Sequence, residues 1–193
     1  MGRNARFDNE QFIDAALKIA AGQGPTAVTI AAVAGEIGAP VGSVYHRFLS
    51  RDALMAEVWL RVVASFQDEF LSTLEKGEGI EAALHTPRWV RRHPAEARIL
   101  LLYRREELVV GSWPEELKAR ALDIASRLDA GISEYAVRTF GKAGQEEINR
   151  TVFAIIDAPY AAVIRYIRQG KKPPRRIEDY ITKTYYAVMR RKK

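Results

Sequence analysis

The sequence predicts an all-α protein: a small helix-turn-helix head on a larger helical body. Three observations carry this. Apolar residues recur at helical spacing in nearly every segment, as in Leu54, Val58, Val62, Phe66 and Phe70. Gly and Pro clusters cut that pattern at short intervals, and no stretch alternates apolar and polar residues as a half-buried strand would.

Taken in order, "NEQFIDAALKIAAGQG" places Phe12, Ala16, Ile19 and Ala20 on one face and stops at Gly22 and Gly24. Thr29 caps a second helix that runs to about Glu36. Gly38 to Pro40 break the chain before a short third helix from about Val41 to Arg47. Ser50 caps a long fourth helix from Arg51 to about Lys76. A fifth begins after "KGEG" and is bent or ended by Pro87, and Pro94 suits the first turn of a sixth. Ser112 and Glu115 have capping-box spacing for a seventh, reaching about Phe140. An eighth spans about Gln145 to Gln169 and a ninth about Ile177 to Arg191. The boundary between head (1–50) and body (51–193) is expected at the start of the long helix.

The chain has 193 residues, enough for a real core, and no Cys, so it offers neither disulfides nor thiolates. The N-terminus lacks an apolar signal core, and "VFAIIDAPYAAVI" is too short and too polar to span a bilayer. A soluble cytoplasmic protein is expected. The net charge of +6 favours polyanions. Its distribution is uneven: residues 1–54 hold five basic and five acidic side chains, whereas residues 165–193 hold eleven basic against Glu178 and Asp179.

The informative stretch is "TIAAVAGEIGAPVGSVYHRFLSRDALM". A helix-turn-helix needs a small residue where its helices touch (Ala34), a turn glycine (Gly38), and apolar pins (Val33, Ile37, Val44, Phe48). The second helix is then free to enter a major groove. From residue 10 to 58 the chain resembles the N-terminal DNA-binding region of the TetR family of transcriptional regulators. The likeness lies in the Ala-Ala of the first helix, Thr29, the Gly38 turn, "GSVYHRF", Arg51 and Leu54.

That resemblance implies roles. Thr29 and Tyr45 suit phosphate oxygens, Gly42 lets the backbone approach the duplex, Ser43 and His46 reach base edges, and Val41 meets a thymine methyl. Arg47 keeps a basic group near the place where the family carries His, and Arg51 is expected to hold the phosphate that the family's Lys holds. Arg3 and Arg6 suit a neighbouring minor groove. Pro40 and Val41 stand where the family often has hydrogen-bonding side chains, so the leading edge of the reading helix is unusually apolar.

For the body the resemblance extends only to layout. It implies a homodimer that binds a double-stranded DNA operator, most simply as a repressor released by a small-molecule effector. Trp59, Phe66, Trp89, Tyr103, Phe153, Asp157 and Tyr160 are candidate pocket residues; Asp157 stands out because an unpaired charge in "FAIIDAPYAAVI" is costly. On the eighth helix Ala154, Ala158, Ala161 and Ala162 form a small-residue stripe, and the ninth offers Ile177, Ile181, Thr184 and Val188. Together these are expected to build a two-fold four-helix seam.

Other signals are bland. "GQGPTA" follows a helix rather than a strand, so it is a helix stop and not a dinucleotide fingerprint. His46, His85 and His93 lack ligand spacing, and Ser43 and Ser112 sit in no nucleophile elbow. No enzyme activity, metal or cofactor is expected. The rival reading is a helical ligand-binding or scaffold protein whose head contacts protein rather than DNA. Salt dependence separates the two.

Overall fold

The computed structural model describes residues 7–109 and 113–190, the side chains of residues 105 and 106 apart. Helix α1 (Asn9–Gln23) opens with a reciprocal cap: the Asp8 carboxylate accepts from Gln11 N–H and the Gln11 side chain accepts from Asp8 N–H, both at 2.9 Å. It stops at Gly24, whose φ of 92° lies in the left-handed range. After a 3₁₀ turn (Pro25–Ala27), Thr29 caps α2 (Ile30–Glu36). The third helix, α3 (Val41–Tyr45), is shorter than the sequence suggests, because its last residues fold into the turn before Ser50. Ser50 caps the long α4 (Arg51–Glu75) through a 3.0 Å bond from Ala53 N–H.

Helix α5 (Gly79–Arg92) continues past Pro87, which was expected to bend or end it. The buried residues on either side, including Leu84, Trp89 and Val90, hold the helix across the missing hydrogen bond. Helix α6 (Pro94–Leu102) is followed by a single turn, α7 (Arg105–Leu108), that periodicity does not announce. Helix α8 (Glu115–Phe140) begins after Pro114; the expected cap, Ser112, lies outside the described residues.

The eighth predicted helix is one rod with an interruption: α9 (Gln145–Val152), a π-helical turn (Phe153–Asp157) and α10 (Ala158–Arg168). Ala158 N–H bonds the carbonyl of Phe153, five residues back, and Pro159 follows with no N–H to give. The buried row is Thr151, Ile155, Pro159, Val163 and Ile167, with Ala154 buried beside Ile155 in the π turn. Helix α11 (Ile177–Met189) closes the chain.

Of four long elements, α4 and α8 run the same way, the rod of α9 and α10 runs back, and α11 runs out again. Helix α4 leaves the head at Arg51, and α8 climbs beside it: Arg120 pairs with Glu57, Arg127 with Asp68, and Arg138 with the carbonyl of Leu74. The α9–α10 rod returns, ending where Lys171 and Lys172 share a shallow depression with Pro94, Ala97 and Arg98 of α6. Helix α11 then runs back outward. It starts where Glu178 meets Arg88 and Arg91 and ends where Tyr185 covers Gly79.

The core is continuous from head to body, and Phe12, Leu54, Phe70 and Trp89 are all fully buried. Each such side chain contributes about 1.5–3 kcal/mol. No helix of the described residues is long and apolar enough to cross a membrane, and no group of three or more metal-ligating side chains gathers among them.

Candidate nucleic-acid interface and effector cavity

The head is built to free one face of α3. Val44 and Phe48 are buried, Phe48 meeting the ring of Phe12 edge-on at 6.3 Å, so α3 is pinned to α1. Gly38 takes φ 67°, which favours glycine, and Ala39 N–H closes α2 on the carbonyl of Ala34 at 2.9 Å. Val41, Gly42, Tyr45 and His46 then face outward, with Tyr45 58% exposed. Ser43 is half-buried. Its hydroxyl donates to the carbonyl of Pro40 at 2.6 Å, which leaves it only acceptor capacity for a base edge. The Thr29 oxygen caps α2, accepting from Ala32 N–H at 3.0 Å. Leu49, missed by sequence reasoning, is 86% exposed in the turn after α3.

Two expected DNA contacts are used internally. Arg51 donates to the carbonyls of Val28 (3.1 Å), Pro25 (2.6 Å) and Leu108 (3.0 Å) and pairs with Asp52 at 2.7 Å. A guanidinium so engaged is not available to a phosphate; it ties the start of α4 to the loop before α2 and to α7. Arg47 bonds the carbonyls of Ser43 and Phe7 and lies over the Phe12 ring at 5.6 Å, clamping α3 to the start of α1. The remaining cation among the described residues of the head, Lys18, pairs with Glu36. Arg3 and Arg6 lie outside the described residues.

In the body, a cavity of about 360 Å³ opens between α4, α5, α6, α8 and the π turn. Of the candidate pocket residues, Phe66, Asp157 and Tyr160 line it. Trp59 does not: it packs edge-on against Trp113 at 5.7 Å. Trp89 is wholly buried behind Phe66, 5.2 Å away, Tyr103 sits beside Gly24 at the joint between head and body, and Phe153 points outward, 48% exposed. The π turn explains the wall. Three consecutive residues of an α-helix spread over more than half its circumference, but the widened turn brings Ile155, Ile156 and Asp157 all to the cavity.

The residue that sequence reasoning missed is Gln67. It is 8% exposed, lines the cavity, and its Oε1 has no hydrogen-bond partner. The signal was present: Gln67 interrupts the apolar series Val63, Phe66, Phe70 at the i+4 position, where a polar side chain must face the same interior. Thr86 and Asp157 supply the other polar groups, and among the described residues no Lys, Arg or His lines the space. His85 sits behind Phe66, its Nε2–H donating to the Phe66 carbonyl at 3.0 Å; burial holds its pKa down at about 4, so it stays neutral. A larger groove of about 680 Å³ between α1, α4 and α8 is walled by the ion pairs Arg61–Glu10 and Arg120–Glu57, which satisfy each other.

The proposed seam also shifts. Ala154, Ile177 and Ile181 turn into this chain's own core, and Ala158, Ala162, Thr184 and Val188 are half-buried. The outward row on the rod is instead Phe153, Asp157, Tyr160 and Ala161; on α11 it is Tyr180, Lys183 and Ala187.

Residues 12–58 match the family model described as bacterial regulatory proteins, tetR family. Over those residues the chain is similar to the DNA-binding region of that family. Its fold agrees over the full length with solved TetR regulators. A protein of Shewanella sp. PV-4 assigned to the TetR transcription regulators is 19% identical, with 95% of this chain and 96% of that one covered and a TM-score of 0.69. The fatty acid degradation regulator FadR of Bacillus halodurans is 14% identical, with 97% of each covered and a TM-score of 0.70. A TetR-family transcription regulator of Marinobacter aquaeolei VT8 is 14% identical, with 93% and 94% covered and a TM-score of 0.61. No curated protein matches the sequence. This chain therefore carries a tetR-type helix-turn-helix head on an all-α frame like that of these solved structures.

Proposed function

We propose that this protein is a homodimeric transcriptional repressor whose heads (1–50) read a double-stranded operator and whose bodies (51–193) release it on binding a small, uncharged effector. The observation that carries the effector reading is the buried, unpartnered Gln67 Oε1 in a mostly apolar cavity on α4. A buried amide oxygen left without a partner costs about 1–3 kcal/mol, which a ligand repays. The same helix starts at Arg51, whose bonds reach the loop before α2, and α6 on the opposite wall holds α1 through Arg98 Nε–H and the Ala21 carbonyl at 2.6 Å. A molecule wedged between α4 and α6 thus pushes on both struts of the head. Two heads must present α3 about 34 Å apart to meet successive major-groove faces, so a small change in tilt costs operator affinity.

The cavity's chemistry selects its ligand. At about 30 Å³ per water-sized group, 360 Å³ holds a molecule of roughly a dozen non-hydrogen atoms. Among the described residues the only charge on the wall is the Asp157 carboxylate, at the exposed mouth. A carboxylate or phosphate ligand would find no cation there and would lose its hydration uncompensated. FadR is named for fatty acid degradation. Within this cavity a free fatty acid is disfavoured, and an amide, alcohol or ketone is favoured.

Octanamide, octanol and octanoate provide a matched test on an operator selected from a random duplex pool. Octanamide and octanol are expected to raise Tm and release the operator together, and octanoate to do neither. Gln67→Leu should raise the apo Tm by about 2–8 °C, since it removes a buried amide oxygen without a partner, and should weaken octanamide about tenfold. Equal responses to all three ligands, unchanged by Gln67→Leu, would count against this reading of the cavity.

One observation favours the rival partner. The exposed face of the head offers Val41, Tyr45 and Leu49 and, among the described residues, no unengaged Lys or Arg, which suits a protein surface better than a lone DNA contact.

A further inference from the structure

The head's shortage of cations raises a question: what neutralises the phosphates of a bound duplex? Resting on the DNA-binding reading above, we propose that the segment joining α10 to α11 is a second contact to the DNA backbone, supplied by the body rather than the head. Residues 165–176 contain Arg165, Arg168, Lys171, Lys172, Arg175 and Arg176 and no acid. All six are exposed. Arg165 lies over the ring of Tyr166 at 4.7 Å and bonds its hydroxyl; none of the six pairs with a carboxylate among the described residues. The nearest acids in sequence are Glu178, taken by Arg88 and Arg91, and the exposed Asp179.

The segment is shaped rather than loose. Gly170, at φ 67°, closes α10, with its own N–H on the Ile167 carbonyl and Lys171 N–H on the Tyr166 carbonyl, both at 2.9 Å. Pro173 is buried, Pro174 half-buried, and the Pro174 carbonyl accepts from Ile177 N–H at 3.2 Å. Six like charges are thus held together on a pinned turn, at a cost in mutual repulsion that an anion relieves.

Its position selects the anion. The α9–α10 rod runs back toward the head, and Lys171 and Lys172 end beside Arg98, whose Nε–H reaches the Ala21 carbonyl of α1. The cations therefore lie at the end of the body nearest the head. They spread over twelve residues, too broad for one phosphate ion and suited to a row of them. Of the segment's apolar members Ile167 and Pro173 are buried and Tyr166 and Pro174 half-buried, so it offers no fully exposed apolar side chain to a lipid surface.

The test compares wild type with the K171Q/K172Q/R175Q/R176Q variant by fluorescence anisotropy over a salt series, on the selected operator and on a mixed-sequence duplex of equal length. The variant is expected to keep the operator's base preference. It should lower the slope of log K against log salt by about 0.9 for each phosphate it no longer neutralises, about 2–4 in all, and bind both duplexes more weakly by the same factor of ten or more at low salt. A K171R/K172R control should retain the wild-type slope. A quadruple variant that is folded and dimeric yet has the wild-type slope would overturn the proposal. So would an unchanged slope accompanied by failure to bind vesicles containing anionic lipid that the wild type binds, which would assign the segment to a membrane. Wild-type protein that binds neither duplex would overturn the DNA-binding reading beneath it as well.

Discussion

Ala161→Glu combined with Ala187→Glu is expected to give a folded monomer that loses operator affinity by about 10²- to 10⁴-fold, because two linked heads gain that factor over one. Both alanines are exposed, Ala161 on α10 beside Tyr160 and Ala187 on α11. Exposed substitutions in a lone chain usually change stability by no more than about 0.5 kcal/mol. In a dimer paired through these faces, the new carboxylates would be buried without partners, which is strongly destabilising to the pair. The same face carries Phe153 and Tyr180, 48% and 61% exposed, an apolar surface that a second copy would cover. It also holds the mouth of the cavity, at Asp157 and Tyr160, so pairing would limit entry to that cavity. Sedimentation at micromolar concentration decides the matter: a double variant that still sediments as a dimer places the seam elsewhere.

Gly79→Ala is expected to destabilise the fold by about 3 kcal/mol or more and to lower Tm by about 6–12 °C. A methyl group at Gly79 would overlap Tyr135 Oη and Cζ and Tyr185 Oη, the two hydroxyls that hydrogen-bond each other at 2.6 Å where α5, α8 and α11 meet. Both tyrosines are buried, and burial with this shared bond pushes the Tyr185 hydroxyl well above its usual range. Accommodating the methyl means parting α8 from α11 or breaking a buried hydrogen bond, each costly in a close-packed core. Tyr135→Phe removes one of the crowding oxygens, so the double variant should lose less than the sum of the singles. Unaltered thermal unfolding of Gly79→Ala would show that the three helices are not packed as described.

Most helix starts and the whole turn of the head were legible because local chemistry sets them. Thr29 and Ser50 cap as read, Gly38 makes the turn, and the stripe on α4 faces the core. Arg51 was not legible in the same way. Its partners Pro25, Val28 and Leu108 lie up to 57 residues away, and sequence spacing says nothing about carbonyls that tertiary folding gathers. The four alanines do not share one exposed face, for a single reason. A wheel drawn across residues 145–169 assumes unbroken 3.6 periodicity, and the extra residue of the π turn rotates everything after Asp157 relative to Ala154. Ala154 is consequently in the core while Ala161 looks outward. Gln67 could have been found, since a polar residue inside an apolar stripe is itself a signal.

The most direct measurement is anisotropy of the wild-type protein on its selected duplex as salt is raised, repeated with Tyr45→Phe and His46→Ala. Selection should return two half-sites related by a two-fold axis, centred about one helical turn or a multiple of it apart. Log K should fall linearly with log salt, Tyr45→Phe weakening every duplex alike and His46→Ala relaxing base preference at one position in each half-site. Binding indifferent to both salt and sequence, or none at all, would contradict a DNA-reading head and leave its exposed apolar face to a protein partner.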